Sequence, residues 1–250
     1  MTRGLLFACT LLLLCGRVTA QELVPDVSRR IVELSYDFTG TDLLLFGAIA
    51  GPDEAGGQID VVVTLEGPAE TVLVRRKTRV AGIWINTESA RIVKAPGFYA
   101  LAATRTPETI ADPSFLEQAG LGLSHLDLDI SGVATATERS AFRAGFLRNM
   151  EALGLYRERA DGVQIRERRL FRTEIRLPSN VPVGSFGAVI RLFVDGREVA
   201  RRDLAIDVDK TGLERAIYLL ARERPLLYGT AAVFIALLSG WIAGMIATRR

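Results

Sequence analysis

The sequence predicts a mainly β protein: an immunoglobulin-like β-sandwich ectodomain, in one or two sandwiches, with an intervening helical segment and one C-terminal transmembrane helix. Three observations predict it. Short alternating or apolar runs recur every 8 to 15 residues or so, separated by Gly and Pro, which is sandwich spacing. No helix-length pattern alternates with those runs, which disfavours a parallel α/β sheet. The chain is also strongly apolar near both ends, at Leu5–Leu14 and at Leu226–Thr248.

The N-terminus reads as an export signal over residues 1–20. Arg3 supplies a positive start, Leu5–Leu14 an apolar stretch too short to span a bilayer core of about 30 Å, and Val18-Thr19-Ala20 a small-residue cleavage site before Gln21. A lipobox at Cys15 is disfavoured, because Leu14 stands where a small residue is wanted. Both cysteines, Cys9 and Cys15, fall within this leader. The remaining chain has no disulfide, thiol nucleophile or thiolate metal site.

Residues 21–106 read as an N-terminal β-sandwich domain. Arg30–Asp37 alternates, and Leu43–Ala50 is a continuous apolar run broken by Gly51-Pro52-Asp53 and Gly56-Gly57. Ile59–Glu66, Thr71–Lys77, Ile83–Ile85, Arg91–Lys94 and Phe98–Ala103 follow as further strands. Residues 107–160 read as a helical linker. Asp112-Pro113 suits a cap and first turn. Glu138–Leu153 places Phe142, Phe146, Leu147, Met150 and Leu153 at helical spacing, which predicts a core-packing helix.

Residues 161–212 return to strands. Leu170–Leu177 is one; Ser185–Asp195 and Glu198–Val208 pair through the turn Asp195-Gly196. Thr211 and Glu214 fit a capping box opening a juxtamembrane helix over 213–225. Pro225 kinks it into the span at 226–248. That span holds no charged residue and is long enough to cross the hydrocarbon at about 1.5 Å per residue. Arg249 and Arg250 then form a cytoplasmic tail, and the exported body implies a bacterial inner-membrane protein with its N-terminal ectodomain in the periplasm. Gly240 and Gly244 have the spacing that lets two spans approach, so a homo-oligomer through the span is a candidate.

The chain carries 31 Lys and Arg against 29 Asp and Glu. Setting aside Arg3 and Arg17 of the leader, the two signs balance, which argues against nucleic acid as a partner. The single histidine, His125, stands with Asp127 and Asp129 at alternate positions. On a strand they would share one face and make a short, weak metal-ligand set, or simply a polar outer face. No P-loop, GxGxxG, GxSxG or HExxH motif is present, so the expectation is a non-enzymatic protein without metal or cofactor.

Two basic clusters stand out. Arg75, Arg76, Lys77 and Arg79 lie at a strand end, and Arg166, Arg168, Arg169, Arg172 and Arg176 interleave with Glu167 and Glu174. Each reads either as an anion or headgroup contact, sulfite or sulfate for example, or as charged protection of an edge strand. The first cluster is the better candidate ligand site, with Trp84 beside it. By residue type alone Trp84 belongs in a core.

The stretches FGA (46–48), VRRKTRVAGIWIN (74–86), PGFYALAATR (96–105), LFRTEIRLPSNVPVGSFGAVIRLF (170–193) and YGTAAVFIALLSGW (228–241) resemble an uncharacterised family of predicted transmembrane proteins of Alphaproteobacteria. The resemblance covers nearly all of the chain after the leader. It implies a membrane partner, a permease of the sulfite exporter type, and brings no catalytic residues.

Overall fold

The computed structural model describes residues 22–28, 30–34, 40–50, 57–210, 217 and 220–247; of residues 22, 33, 34, 210, 242, 243, 246 and 247 it describes the backbone only. The expected leader, the turn at 51–56, the capping box Thr211/Glu214 and the tail Arg249-Arg250 lie outside the described residues.

Two sheets face each other. The first has four strands in the order β1 (Glu22–Val27), β3 (Thr41–Ala50), β11 (Leu170–Leu177), β10 (Val163–Arg166), all antiparallel. The second has six in the order β2 (Ile31–Leu34), β13 (Arg197–Lys210), β12 (Gly184–Val194), β4 (Ile59–Glu66), β7 (Tyr99–Ala103), β9 (Tyr156–Arg159). In it β2 runs parallel to β13, and β9 parallel to β7. Strands from residues 21–106 and from residues 161–212 contribute to both sheets. Leu45 and Phe171 from one sheet and Val63, Phe186 and Ile190 from the other are buried in one apolar core. The early and late β segments therefore build a single core.

Alternation explains the first sheet. Along β11, Phe171, Thr173, Ile175 and Leu177 point inward, and Arg172, Glu174 and Arg176 outward. β3 follows the same rule, with Leu43, Leu45 and Ile49 inside. Its apolar run is thus half exposed, with Phe46 facing solvent. Gly47 on β3 is required by close packing: a Cβ there would lie 2.6 Å from the Phe171 ring and 2.6 Å from the Val24 carbonyl oxygen.

The second sheet obeys a different pattern because it is covered on both faces. Six of the eight residues of β4 in succession are buried, as are all five of β7. Val61, Val63 and Leu65 enter the sandwich core, while Val62 enters a second core on the far side. That second core is roofed by two short helices, α1 (Pro107–Ile110) and α2 (Pro113–Ala119), and by a longer one, α3 (Ala136–Ala152). A three-stranded sheet, in the order β5 (Ala69–Val80), β6 (Ile83–Pro96), β8 (Asp129–Ser131), completes the roof. Tyr156 ties the layers together. Its ring stands edge-on to Phe146, with centroids 5.6 Å apart, and its hydroxyl donates to the Pro96 carbonyl at 2.6 Å.

Several expectations need correction. Ile83–Ile85 and Arg91–Lys94 are not separate strands; they belong to the single strand β6, because the exposed polar residues between them continue the pairing with β5. The linker 107–160 is not purely helical, since β8 and β9 lie within it. The helix α3 buries Phe142, Phe146 and Met150 but exposes Leu153, which is its C-cap rather than part of the apolar face. The hairpin between β10 and β11 turns at Glu167-Arg168 with φ of 49° and 54°, a type I′ shape built without glycine. The expected turn at Asp195-Gly196 has the same shape, with φ of 47° and 83°.

The start of α3 is fixed by a capping box. Thr135 Oγ1 accepts from the Glu138 N–H at 3.1 Å, and Glu138 accepts from the Thr135 N–H at 3.1 Å. Hydrogen bonds from Thr135 hold the Glu138 carboxyl below the usual carboxylate range. Thr135→Ala is expected to cost about 1 kcal/mol. Faster amide exchange confined to the first turn of α3 checks this; unchanged exchange there refutes it.

Candidate functional site

The strands β5 and β6 form a long ribbon. Its root is packed: Ala90, Ile92 and Ala95 of β6 are buried in the second core, and β8 pairs along Arg91–Val93. Its outer part is not. Every residue from Arg75 to Ser89 is exposed. The six strand positions from Arg75 to Val80 give this arm a length of about 20 Å at ~3.3 Å per residue. The arm turns at Ala81-Gly82 with φ of 51° and 89°, the two-residue turn whose twist matches paired strands.

The structure brings all five predicted ligand-site residues onto this arm. Arg75, Arg76, Lys77 and Arg79 lie on β5, and Trp84 lies directly across from Arg79. Trp84 is 67 % exposed, so its expected core position is corrected. It sits beyond the last buried residue of either strand, where nothing remains to cover it. Val80, Ile83 and Ile85 are likewise exposed around the turn. Of the three, sequence reasoning grouped Ile83 and Ile85 with Trp84 and passed over Val80, because a β-branched residue in a strand run normally marks a buried strand. The available signal was Ala81-Gly82, a two-residue break between paired runs.

Alternation along β5 divides the cations. Arg76 faces α3: it pairs with Glu88 across the ribbon, and its guanidinium carbon lies 5.7 Å from the centre of the Phe142 ring. Arg75, Lys77 and Arg79 occupy the opposite face. Among the described residues none of these three has a carboxylate partner, and Arg79 donates to the Gly82 carbonyl at 3.3 Å. A groove of about 510 Å³ separates β5 from α3, bordered by Val72, Val74, Arg76, Phe142, Phe146 and Arg148.

His125 lies elsewhere. The chain at 122–125 is a turn, with the His125 N–H donating to the Gly122 carbonyl, and only Asp129 is in a strand. The shared strand face expected for His125, Asp127 and Asp129 is therefore corrected. The first two border a polar cleft of about 580 Å³ with Arg143 and Lys94. Among the described residues no group of three His, Cys, Asp or Glu is placed to hold a metal. The second basic cluster lies along the first sheet's outer face, where Arg172 pairs with Glu174, and Arg176 with Asp42 at 3.4 Å.

The C-terminal helix α4 runs from Pro225 to Ala247, 23 residues without a charge. Its described apolar side chains are exposed on every side, among them Leu226, Phe234, Leu237 and Trp241. Counting described side chains alone, no helix is long and apolar enough to cross a membrane. The unbroken run of described α4 side chains ends at Trp241. Gly240 and Gly244 lie one turn apart on α4, with open space where a Cβ would stand.

Fold and surface together define a β-rich protein with two stacked cores, an exposed basic and apolar arm, and an appended apolar helix. The chain belongs to the Alph_Pro_TM family, described as "Putative transmembrane protein", and the match covers residues 22–249. No curated protein matches it in sequence.

Proposed function

We propose that this is a non-enzymatic, single-span envelope protein, with α4 in the inner membrane, the β-rich body in the periplasm and the C-terminus in the cytoplasm. The observation that carries the reading is α4 itself. Its 23 uncharged residues make a helix about 35 Å long at ~1.5 Å per residue, against a hydrocarbon core of about 30 Å. Its described large apolar side chains are exposed on every side, a pattern that water does not tolerate and lipid does. Membership of a transmembrane family supports the same reading.

The body is best described as an immunoglobulin-like sandwich. The order β1-β3-β11-β10 follows A-B-E-D, and β13-β12-β4 follows G-F-C, with β2 as a split first strand alongside β13. The ribbon, α1 to α3 and β8 are then insertions around the strand that follows C. Such a domain on a single span suits an accessory or scaffold subunit. The membrane partner suggested by the family resemblance is a transporter, a permease of the sulfite exporter type. Gly240 and Gly244 offer a small-residue face for helix pairing, with that partner or with a second copy.

A second reading, capture of a small oxyanion, has in its favour Arg75, Lys77 and Arg79, which have no carboxylate partner among the described residues. The open arm gives them no enclosing walls, which small-ligand sites ordinarily have.

Crosslinking of the full-length protein in its native membrane, with mass spectrometry of the adducts, tests the proposal. One recurring permease is the expected result. Self-crosslinks alone would replace the accessory role with a stand-alone envelope one.

A further inference from the structure

We propose that the tip of the β5–β6 ribbon is a second membrane contact, seating Val80, Ile83, Trp84 and Ile85 in the interface of an anionic bilayer with Arg75, Lys77 and Arg79 at the headgroups. The inference rests on the reading of α4 as the membrane anchor.

Three features carry it. The first is the gradient along the arm. The last six residues, Val80 to Ile85, hold no charge and four large exposed apolar side chains. Val80 and Ile83 flank the turn, Arg79 and Trp84 face each other one pair further in, and Ile85, then Lys77 and Arg75, follow towards the root. The apolar end therefore enters first, while the long cationic side chains reach back to the headgroups.

The second feature is charge. From Arg75 to Ser89 the arm carries four basic residues and one acid, Glu88, which is already paired with Arg76. Among the described residues no carboxylate pairs with Arg75, Lys77 or Arg79 on the other face. An anionic lipid surface is its complement.

The third feature is placement. Glu66, at the end of β4, pairs with Gly187, and Gly184 pairs with Val208 near the end of β13. The ribbon's root and the point where the chain leaves for α4 therefore share one end of the six-stranded sheet. A Cβ on Gly184 would stand 3.1 Å from Pro68, which confirms that closeness. An isolated two-stranded ribbon is marginally stable in water, so its bare outer part gains most from being seated.

The sequence supplies the probe. The only tryptophans are Trp84 and Trp241, so Trp241→Phe leaves Trp84 as the sole tryptophan reporter. The full-length variant is reconstituted into vesicles of phosphatidylcholine, with or without phosphatidylglycerol. Emission is read against aqueous acrylamide and against brominated lipid. With phosphatidylglycerol, the expected result is a blue shift, protection from acrylamide and quenching by brominated lipid. Lys77→Ala with Arg79→Ala should lower the seated fraction relative to the free one by roughly 25-fold, about fivefold per cation at low salt.

Trp84 emission that stays water-like and acrylamide-accessible in every vesicle would overturn the inference. So would burial of Trp84 only when a second protein is present, which would make the tip a protein-docking element. Flotation separates these failures from the anchor's. Protein that floats with the vesicles while Trp84 stays in water keeps the anchor and loses the tip; protein that does not float loses the anchor reading.

Discussion

Replacing Arg105 with alanine is expected to destabilise the fold by about 3–5 kcal/mol. Asp60 sits on β4 with only 2 % of its surface exposed. It survives there because Arg105 grips it with both forks: Nε reaches Oδ1 at 2.9 Å and Nη2 reaches Oδ2 at 2.6 Å. The Thr104 hydroxyl donates to Oδ1 at 2.7 Å. Burial pushes the carboxyl up, but the hydrogen bonds from Arg105 and Thr104 and the Arg105 charge outweigh it and hold the carboxyl below its ordinary value of 3.8. Arg105→Ala leaves that carboxylate inside with one neutral donor. Thermal unfolding of full-length protein in detergent measures the loss. Adding Asp60→Asn to Arg105→Ala is expected to restore part of it, because the stranded charge is gone; equal losses in the single and double variants would refute the mechanism.

The same pair sets an acid limit. A carboxyl whose folded value is depressed binds its proton more readily when unfolded, so its contribution is complete above about pH 4 and fades as pH falls further through the folded value. The wild type should therefore lose stability below pH 4 more steeply than Asp60→Asn.

Phe146→Ala is expected to cost a similar amount, about 3–5 kcal/mol, by opening a cavity between α3 and β9. Phe146 is fully buried and stands edge-on to Tyr156, which in turn packs against Tyr99 and holds the Pro96 carbonyl. The loss falls on the joint between the six-stranded sheet and its roof. Hydrogen exchange should accelerate in α3 and the ribbon root, while β3 and β11, in the other core, stay protected. Leu153→Ala is the control: Leu153 is half-exposed at the C-cap and should change stability by no more than about 0.5 kcal/mol. A Leu153 effect as large as that of Phe146 would refute the assignment of the helix face.

How far these elements could be read from residues alone depended on how local their causes are. β4, β11 and the Asp195-Gly196 hairpin were legible because pattern and turn chemistry sit within ten residues or so. β9 and β10 were not: YRER and VQIR are short and mostly polar, and become strands only because β7 and β11 offer them edges. Asp60 was read only as part of the strand Ile59–Glu66, since its partner Arg105 is 45 residues away. Of the candidate site, the cationic positions were legible and their setting was not. Whether Trp84 is covered depends on how far β5 and β6 outrun α3 and β8, and no local pattern encodes that distance.

The pairing of β13 also decides how the body responds to being pulled. On the proposed reading of α4 as an anchor, tension enters the body at the C-terminal end of β13, and its component along that strand's axis is borne by the ladders on either side. β13 is held by eleven paired positions to β12 and by four, in parallel, to β2. Such a load shears the two ladders as a whole, where a pull across the sheet would open them one pair at a time. Under that reading a pull on α4 thus loads both ladders at once, and one of them ties the last strand to the early strand β2.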